Sequence, residues 1–404
     1  MSATGAPVKR GWLRTVAFSL APLGFVLIVL EIAGRVLYPF DTDARARIQA
    51  ERDPRATLSH FSGEVDGKAI LYDINRARKR YVPFLGFMLA PNQQLPTLAS
   101  NALGFRDGPV EPRRDGEYRV LLLGGSTVWG LGASSNAATV SGLLETMLNG
   151  ASTGTRYRVM NGGYVGYTAR QEFVVLSEYR ERFDPDLVIT LTGYNDVFSM
   201  LKDRAEITQR PEAQLLAEAV DQQLKPMESL QALRKFAGSL GIWRLVVYFR
   251  ELGELAHPST TTVDYDAERG RRLAARVADT QLTAADYAKR HGARYVVALQ
   301  PEIYTTRKPL TADEERAKAR FTSAFAGIAD VYARYRADLA SALGGTPGVS
   351  VVDLGSSLDG TREAVFIDDC HFTDGGYRAI AGALRDVVLA AQRAAAQRPT
   401  AGQG

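Results

Sequence analysis

Four short apolar runs end in polar residues whose types complement one another. The first, in VLLLGGSTVWG (120–130), stops at Gly124 and Gly125 and places Ser126 just beyond them. Gly163 follows the run at 157–161, Asn195 follows 187–192, and His371 stands in FIDDCHFTD (366–374), downstream of 349–354. A serine hydroxyl becomes a nucleophile only when a base removes its proton, and the base needs a third group to orient it. Asp368 lies three residues before His371 and can curl back within one turn to accept a hydrogen bond from the imidazole. The backbone N–H of Ser126, the N–H of Gly163 and the side-chain amide of Asn195 are the donor types that stabilise an oxyanion. Taken singly, each residue also fits a bland role: Gly163 as a turn glycine, Asn195 as part of a helix cap, the Asp-x-x-His stretch as an acidic turn before a helix. Their common position past apolar runs favours a site. The other three histidines are placed less well: His60 early in the chain, His257 in a long insertion, and His291 at a Lys-Arg-His-Gly helix terminus.

The elements that must hold these residues read as strand and helix in alternation. Strands are expected at 118–124, 157–161, 187–192, 293–299 and 349–354. Helices are expected at 136–149, 169–183 and 375–393, the second stopped by Asp184-Pro185. Apolar runs separated by helical crossovers predict an α/β fold, a doubly wound, mainly parallel five-stranded sheet. Ligands bind outside the carboxyl ends of such strands, where Ser126, Gly163, Asn195 and His371 all fall. About 90 residues, 197–289, carry no strand where a crossover needs about a dozen. This helical insertion reads either as a subdomain with its own core or as a lid or membrane-facing cap; 212–224 and 242–255 are its amphipathic or apolar segments. Residues 41–117 read as a stalk and an extended lead-in, with a turn at 101–106 that puts Phe105 in the core. The Ala/Gln/Gly-rich tail, 393–404, is expected to fray.

Rival motifs fail on single residues. Val128 occupies the last position that Gly-x-Ser-x-Gly requires to be glycine. No lysine between Val120 and Gly150 completes a P-loop, and Ser135 replaces the third glycine of a dinucleotide pattern. Cys370 is a spacer in the Asp-x-x-His turn, with no other histidine placed to serve it.

These four blocks resemble those of the SGNH, or GDSL-type, hydrolases. Gly124-Gly125-Ser126-Thr127 resembles the block that carries the nucleophile. Asn161-Gly162-Gly163 and Gly193-Tyr194-Asn195-Asp196 resemble the two that supply oxyanion donors, and Asp368-Asp369-Cys370-His371 the one that completes the triad. Gly125 and Thr127 depart from the Asp and Leu of the family's name motif. The resemblance covers about 118–392 and implies a flavodoxin-like sheet and a serine esterase working through an acyl-enzyme, without metal or cofactor. It implies as substrate an O-acyl ester, often O-acetyl, of a saccharide or lipid. Two alternatives stay open: an O-acyltransferase that passes the acyl group to an envelope polysaccharide, and a non-catalytic binding or scaffold protein on the same fold.

Composition sets the outer bounds. With 46% hydrophobic and 23% charged residues the chain is globular in type. A net charge of +4 is spread along the sequence with no basic arm, which makes nucleic acid a poor partner. The single cysteine excludes an intrachain disulfide and a Cys-rich metal site. Residues 15–30 carry no charge, Lys9, Arg10 and Arg14 precede them, and Trp12 and Tyr38 flank them. Glu31 and Arg35 stand four apart, positioned to pair on a helix. Residues 1–40 are therefore expected to form a cytoplasmic N-terminus and a single transmembrane helix, with the remainder periplasmic or extracellular. A cleaved signal peptide is the second reading.

Overall fold

The computed structural model describes residues 10–37, 41–61, 65–152, 154–203, 236, 239–256, 261–262, 267–346 and 349–396. The expected segment 212–224, His257 and the tail beyond 396 lie outside the described residues. The chain divides into two compact units: residues 1–48 with 221–259, and residues 49–220 with 260–404.

In the larger unit the five apolar runs form five strands: β1 (Glu117–Gly124), β2 (Arg156–Asn161), β3 (Leu187–Thr192), β4 (Arg294–Leu299) and β5 (Val349–Asp353). They pair in the order β2-β1-β3-β4-β5, every neighbour parallel. This is the flavodoxin-like, doubly wound order. The apolar residues of β1 and β3 are almost wholly buried, as strands covered on both faces must be. Each fully buried Val, Leu or Ile contributes roughly 1.5–3 kcal/mol, so the sheet interior is the main stabilising mass.

The crossover helices pack in two groups. Val140–Ala151 packs with the closing helix Asp374–Ala396, while Ala267–Arg290 packs with Ala169–Phe183 and Ile328–Leu343. The chain reverses direction between β1 and β3, and in such sheets the crevice at that reversal is the ligand site. Ser126 and Asn195 follow these two strands.

One helix starts later than the sequence predicts. It begins at Val140, where Thr139 Oγ1 accepts from the Gly142 N–H. Asn136 is instead a peg, exchanging hydrogen bonds with both the N–H and the carbonyl of Ala99. The lead-in carries more structure than its weak periodicity foretells: helix Gly67–Arg76 and an antiparallel hairpin of Lys79–Val82 with Gly86–Leu89. Phe105 is buried edge-on against Tyr179 and Phe183, as its turn implies. Beside it Arg106 is buried too, its guanidinium donating to the carbonyls of Thr97, Gly130 and Ala133.

A buried acid gives this unit a pH-dependent stability. Glu172, on Ala169–Phe183, takes a hydrogen bond from Thr190 Oγ1 of β3. Burial, reinforced by Asp196, pushes its carboxyl up to about 8 from an ordinary 4.5. The folded state then keeps a proton that the unfolded chain releases between these values, so this contribution is lost as pH rises through that window. Glu172→Gln is expected to raise stability at pH 8 by about 4 kcal/mol, and by less than about 1 kcal/mol near pH 5. Urea denaturation at the two pH values measures the difference.

In the smaller unit, helix Arg10–Leu37 contains a 20-residue stretch, Phe18–Leu37, long and apolar enough to cross a membrane. Glu31 and Arg35 pair along it at 2.8 Å, as their spacing predicts. Gly241–Ala256 packs against the same helix.

Candidate active site

Ser126 is the first residue of a short helix, Ser126–Trp129, that starts directly after β1. Gly125 must lack a side chain because the Asn195 amide nitrogen occupies the space where its Cβ would stand. The block at 161–163 fixes this helix from below. Asn161 Nδ2 donates to the Val128 carbonyl at 2.8 Å, and Gly163 lies so close to Val128 that a Cβ there would overlap it. Thr127 Oγ1 donates to the Cys370 carbonyl at 3.1 Å, tying the serine helix to the histidine turn. A leucine at 127 has no hydroxyl for this bond.

The three residues expected to form a triad meet. Ser126 Oγ lies 2.6 Å from His371 Nε2, and His371 Nδ1 lies 2.7 and 2.8 Å from the two Asp368 oxygens. With the Nδ1 proton held by the carboxylate, Nε2 is bare and accepts from the serine hydroxyl. The turn that joins acid and base is closed by the backbone. The N–H groups of Cys370 and His371 donate to Asp368 Oδ1, at 3.0 and 2.8 Å, and the Ile367 N–H reaches the His371 carbonyl. Burial alone would raise the Asp368 carboxyl. The His371 imidazole and its hydrogen bond, the Arg55 guanidinium and the Cys370 amide outweigh burial and hold it well below the usual carboxylate range.

Arg55 is a contributor that sequence reading missed. It sits in a one-turn helix, Pro54–Thr57, capped by Asp53, which also grips the guanidinium at 2.9 and 2.7 Å. Its free edge donates to Asp368 Oδ2 at 3.1 Å. The neighbouring Asp369 is turned the other way, accepting hydroxyl hydrogen bonds from Tyr194 and Tyr304. Burial and the charge of Asp368 push its carboxyl up, so two adjacent acids have opposite ionisation tendencies. Arg55→Met is expected to lower kcat/KM by about 10- to 100-fold, the worth of one charge-assisted hydrogen bond. Loss of the cation favours the protonated dyad, so the acid limb of the pH–rate profile should move to higher pH. Arg55→Lys should restore the limb. Steady-state kinetics from pH 5 to 9 test both points.

Of the three expected oxyanion donors, Gly163 has another partner for its N–H. Gly163 is wholly internal, and its N–H is spent on Asn161 Oδ1 at 3.0 Å. Gly166, three residues on, lines the same cavity as Ser126, Asn195 and His371. Its φ of +80° suits glycine, and its N–H has no partner among the described residues. Asn195 Nδ2 gives one hydrogen to the Tyr167 carbonyl at 2.8 Å and retains a second. The cavity, about 620 Å³, is mostly apolar, with Leu58, Val165, Phe198 and Ile367 among its walls.

Of the other described histidines, His60 Nε2 bonds the Phe366 carbonyl at 2.8 Å, and His291 lies tilted against the Tyr287 ring, centroids 4.5 Å apart. Among the described residues the one cluster with metal-binding donor types is Asp368, Cys370 and His371. Its carboxylate and imidazole are already committed to each other and to Ser126, and burial pushes the Cys370 thiol well up, away from the thiolate a metal would need.

No family model matches the chain, and no curated protein does. Among solved structures it is similar to a GDSL-like lipase from Bacteroides thetaiotaomicron (14% identity, 69% of this chain and 91% of that one, TM-score 0.33). It is similar also to Axe2, an acetylxylan esterase from Geobacillus stearothermophilus (14% identity, 66% and 92%, TM-score 0.34). A third is the acetyl xylan esterase AlAXEase (12% identity, 67% and 99%, TM-score 0.36).

Proposed function

We propose that this chain is a serine esterase of the SGNH type, held at a membrane by its N-terminal helix. The observation that carries the reading is the continuous Ser126–His371–Asp368 hydrogen-bond chain, at 2.6 and 2.7 Å, opening on a cavity. His371 Nε2 takes the Ser126 proton as Oγ attacks the ester carbonyl. The tetrahedral oxyanion is held by the N–H groups of Ser126 and Gly166 and the amide of Asn195. Breakdown of this intermediate passes the proton from His371 to the leaving alkoxide and leaves an acyl-enzyme. Water, deprotonated by the same imidazole, then releases the acid and restores Ser126. Asp368 remains ionised throughout and stabilises the imidazolium, a role its lowered proton affinity supports. The substrate class is an O-acyl ester of a saccharide or lipid, with the N-terminus cytoplasmic and the site on the far side of the membrane.

An acyl-enzyme can also be resolved by a sugar hydroxyl in place of water. Incubating the protein with an activated acetyl ester, with and without an acceptor glycan, separates the outcomes. Hydrolysis that is unchanged by the glycan is expected. Transfer to the glycan exceeding hydrolysis would make the protein an O-acyltransferase, and no turnover of any ester would leave a binding protein.

A further inference from the structure

Helix Gly241–Ala256, in the insertion, has no part in this chemistry, yet it is built against the apolar helix in an unusual way. Gly241 meets the main chain at Glu31 and Gly34 so closely that a Cβ on either glycine would overlap the other helix's backbone. Contacts through small residues are how helices approach one another in a membrane. Glu31, the acid within the apolar stretch, accepts the N–H groups of Gly241 and Ile242 at 2.5 and 3.3 Å, with Arg35 on its other side. These are orphan donors of a helix start, satisfied without water, as a bilayer requires. The same bonds explain how a carboxylate is tolerated there.

On the helix, Gly241 and Leu245 are buried, while Trp243, Val246 and Phe249 are 52%, 55% and 63% exposed at i, i+3 and i+6. These three side chains are apolar, and the first is tryptophan, a residue favoured at a membrane surface. Glu31 precedes the end of the apolar stretch at Leu37 by six residues, about 9 Å along a helix axis. Gly241 therefore docks near the edge of a hydrocarbon layer, not at its centre. Arg244, Arg250, Glu251 and Glu254 make Gly241–Ala256 too charged to span, but fit a helix lying in the headgroup–acyl boundary.

We infer that Gly241–Ala256 is a second membrane contact, an interfacial helix clipped to the anchor by Glu31 and the Gly34–Gly241 contact, with Trp243, Val246 and Phe249 turned to lipid. This rests on Phe18–Leu37 being an anchor. The test uses the full chain in phosphatidylcholine vesicles carrying bromine at different depths of the acyl chains. Trp12 and Trp129 emit equally in the wild type and in Trp243→Phe, so their difference isolates Trp243. Its emission is expected to be lost when bromine lies near the ester end of the chains, and to resist aqueous iodide. Quenching by iodide alone, which means a water-facing stripe, or by neither agent, which means a stripe covered by protein, would overturn the inference. A chain that does not float with the vesicles fails at the anchor itself, and that outcome is read separately from the fluorescence.

Discussion

Ser126→Ala is expected to lower kcat/KM for an activated ester by about 10⁴-fold or more, and His371→Ala by a similar factor. The two losses should not add: the double variant is expected to match the singles, because each residue acts only through the other. The reason lies in the 2.6 Å contact between Oγ and Nε2, which puts the base within hydrogen-bond reach of the hydroxyl proton. Asp368→Asn tests the third member. An asparagine can present its NH₂ to Nδ1 and so favour the wrong tautomer, which leaves Nε2 protonated and unable to act as base; a loss on the order of 10⁴-fold is expected. Thermal unfolding of the Ser126 and His371 variants should stay close to that of the wild type, since both residues sit at the cavity wall and not within the sheet. Stopped assays with purified variants measure all three.

Asn195→Ala is expected to cost about 100- to 1000-fold in kcat with KM little changed, because the amide meets charge that exists only in the transition state. The two glycines of the 161–166 stretch should separate by kind of damage. Gly166→Ala strains a positive φ beside the cavity, so it should reduce kcat in a protein that remains folded. Gly163→Ala drives a methyl into Val128 and the Trp129 N–H, so it should lower the unfolding midpoint along with activity. A Gly163→Ala variant that stays stable yet loses kcat alone would return the donor role to Gly163.

Much of this site was legible in the chain because its chemistry is local. Asp368 and His371 lie one turn apart past an apolar run, and that position together with the spacing pairs them. Ser126 and Asn195 directly follow buried strands, whose ends are marked by glycine. The strand runs were equally plain, since parallel strands covered on both faces read as unbroken apolar stretches. Gly163 and Gly166 show where that legibility stops. Both lie in NGGYVG, and only the backbone path decides which glycine gives its N–H to Asn161 and which lines the cavity. Arg55 was hidden for a different reason. It reaches Asp368 across 313 positions from a stretch with several arginines and little periodicity, and no local pattern marks the one whose guanidinium is clamped. Asn136 likewise has the composition of a helix start, but its partner Ala99 lies in another segment, so the helix begins at Val140, capped by Thr139.

Nucleophilic attack by a Ser126 activated through His371 is tested most directly by covalent capture. A fluorophosphonate incubated with the full chain, followed by proteolysis and peptide mass spectrometry, should leave one adduct, on the peptide that contains Ser126. The adduct should be absent from Ser126→Ala and strongly reduced in His371→Ala. A wild-type protein that takes no adduct, or takes it elsewhere, would contradict the claim.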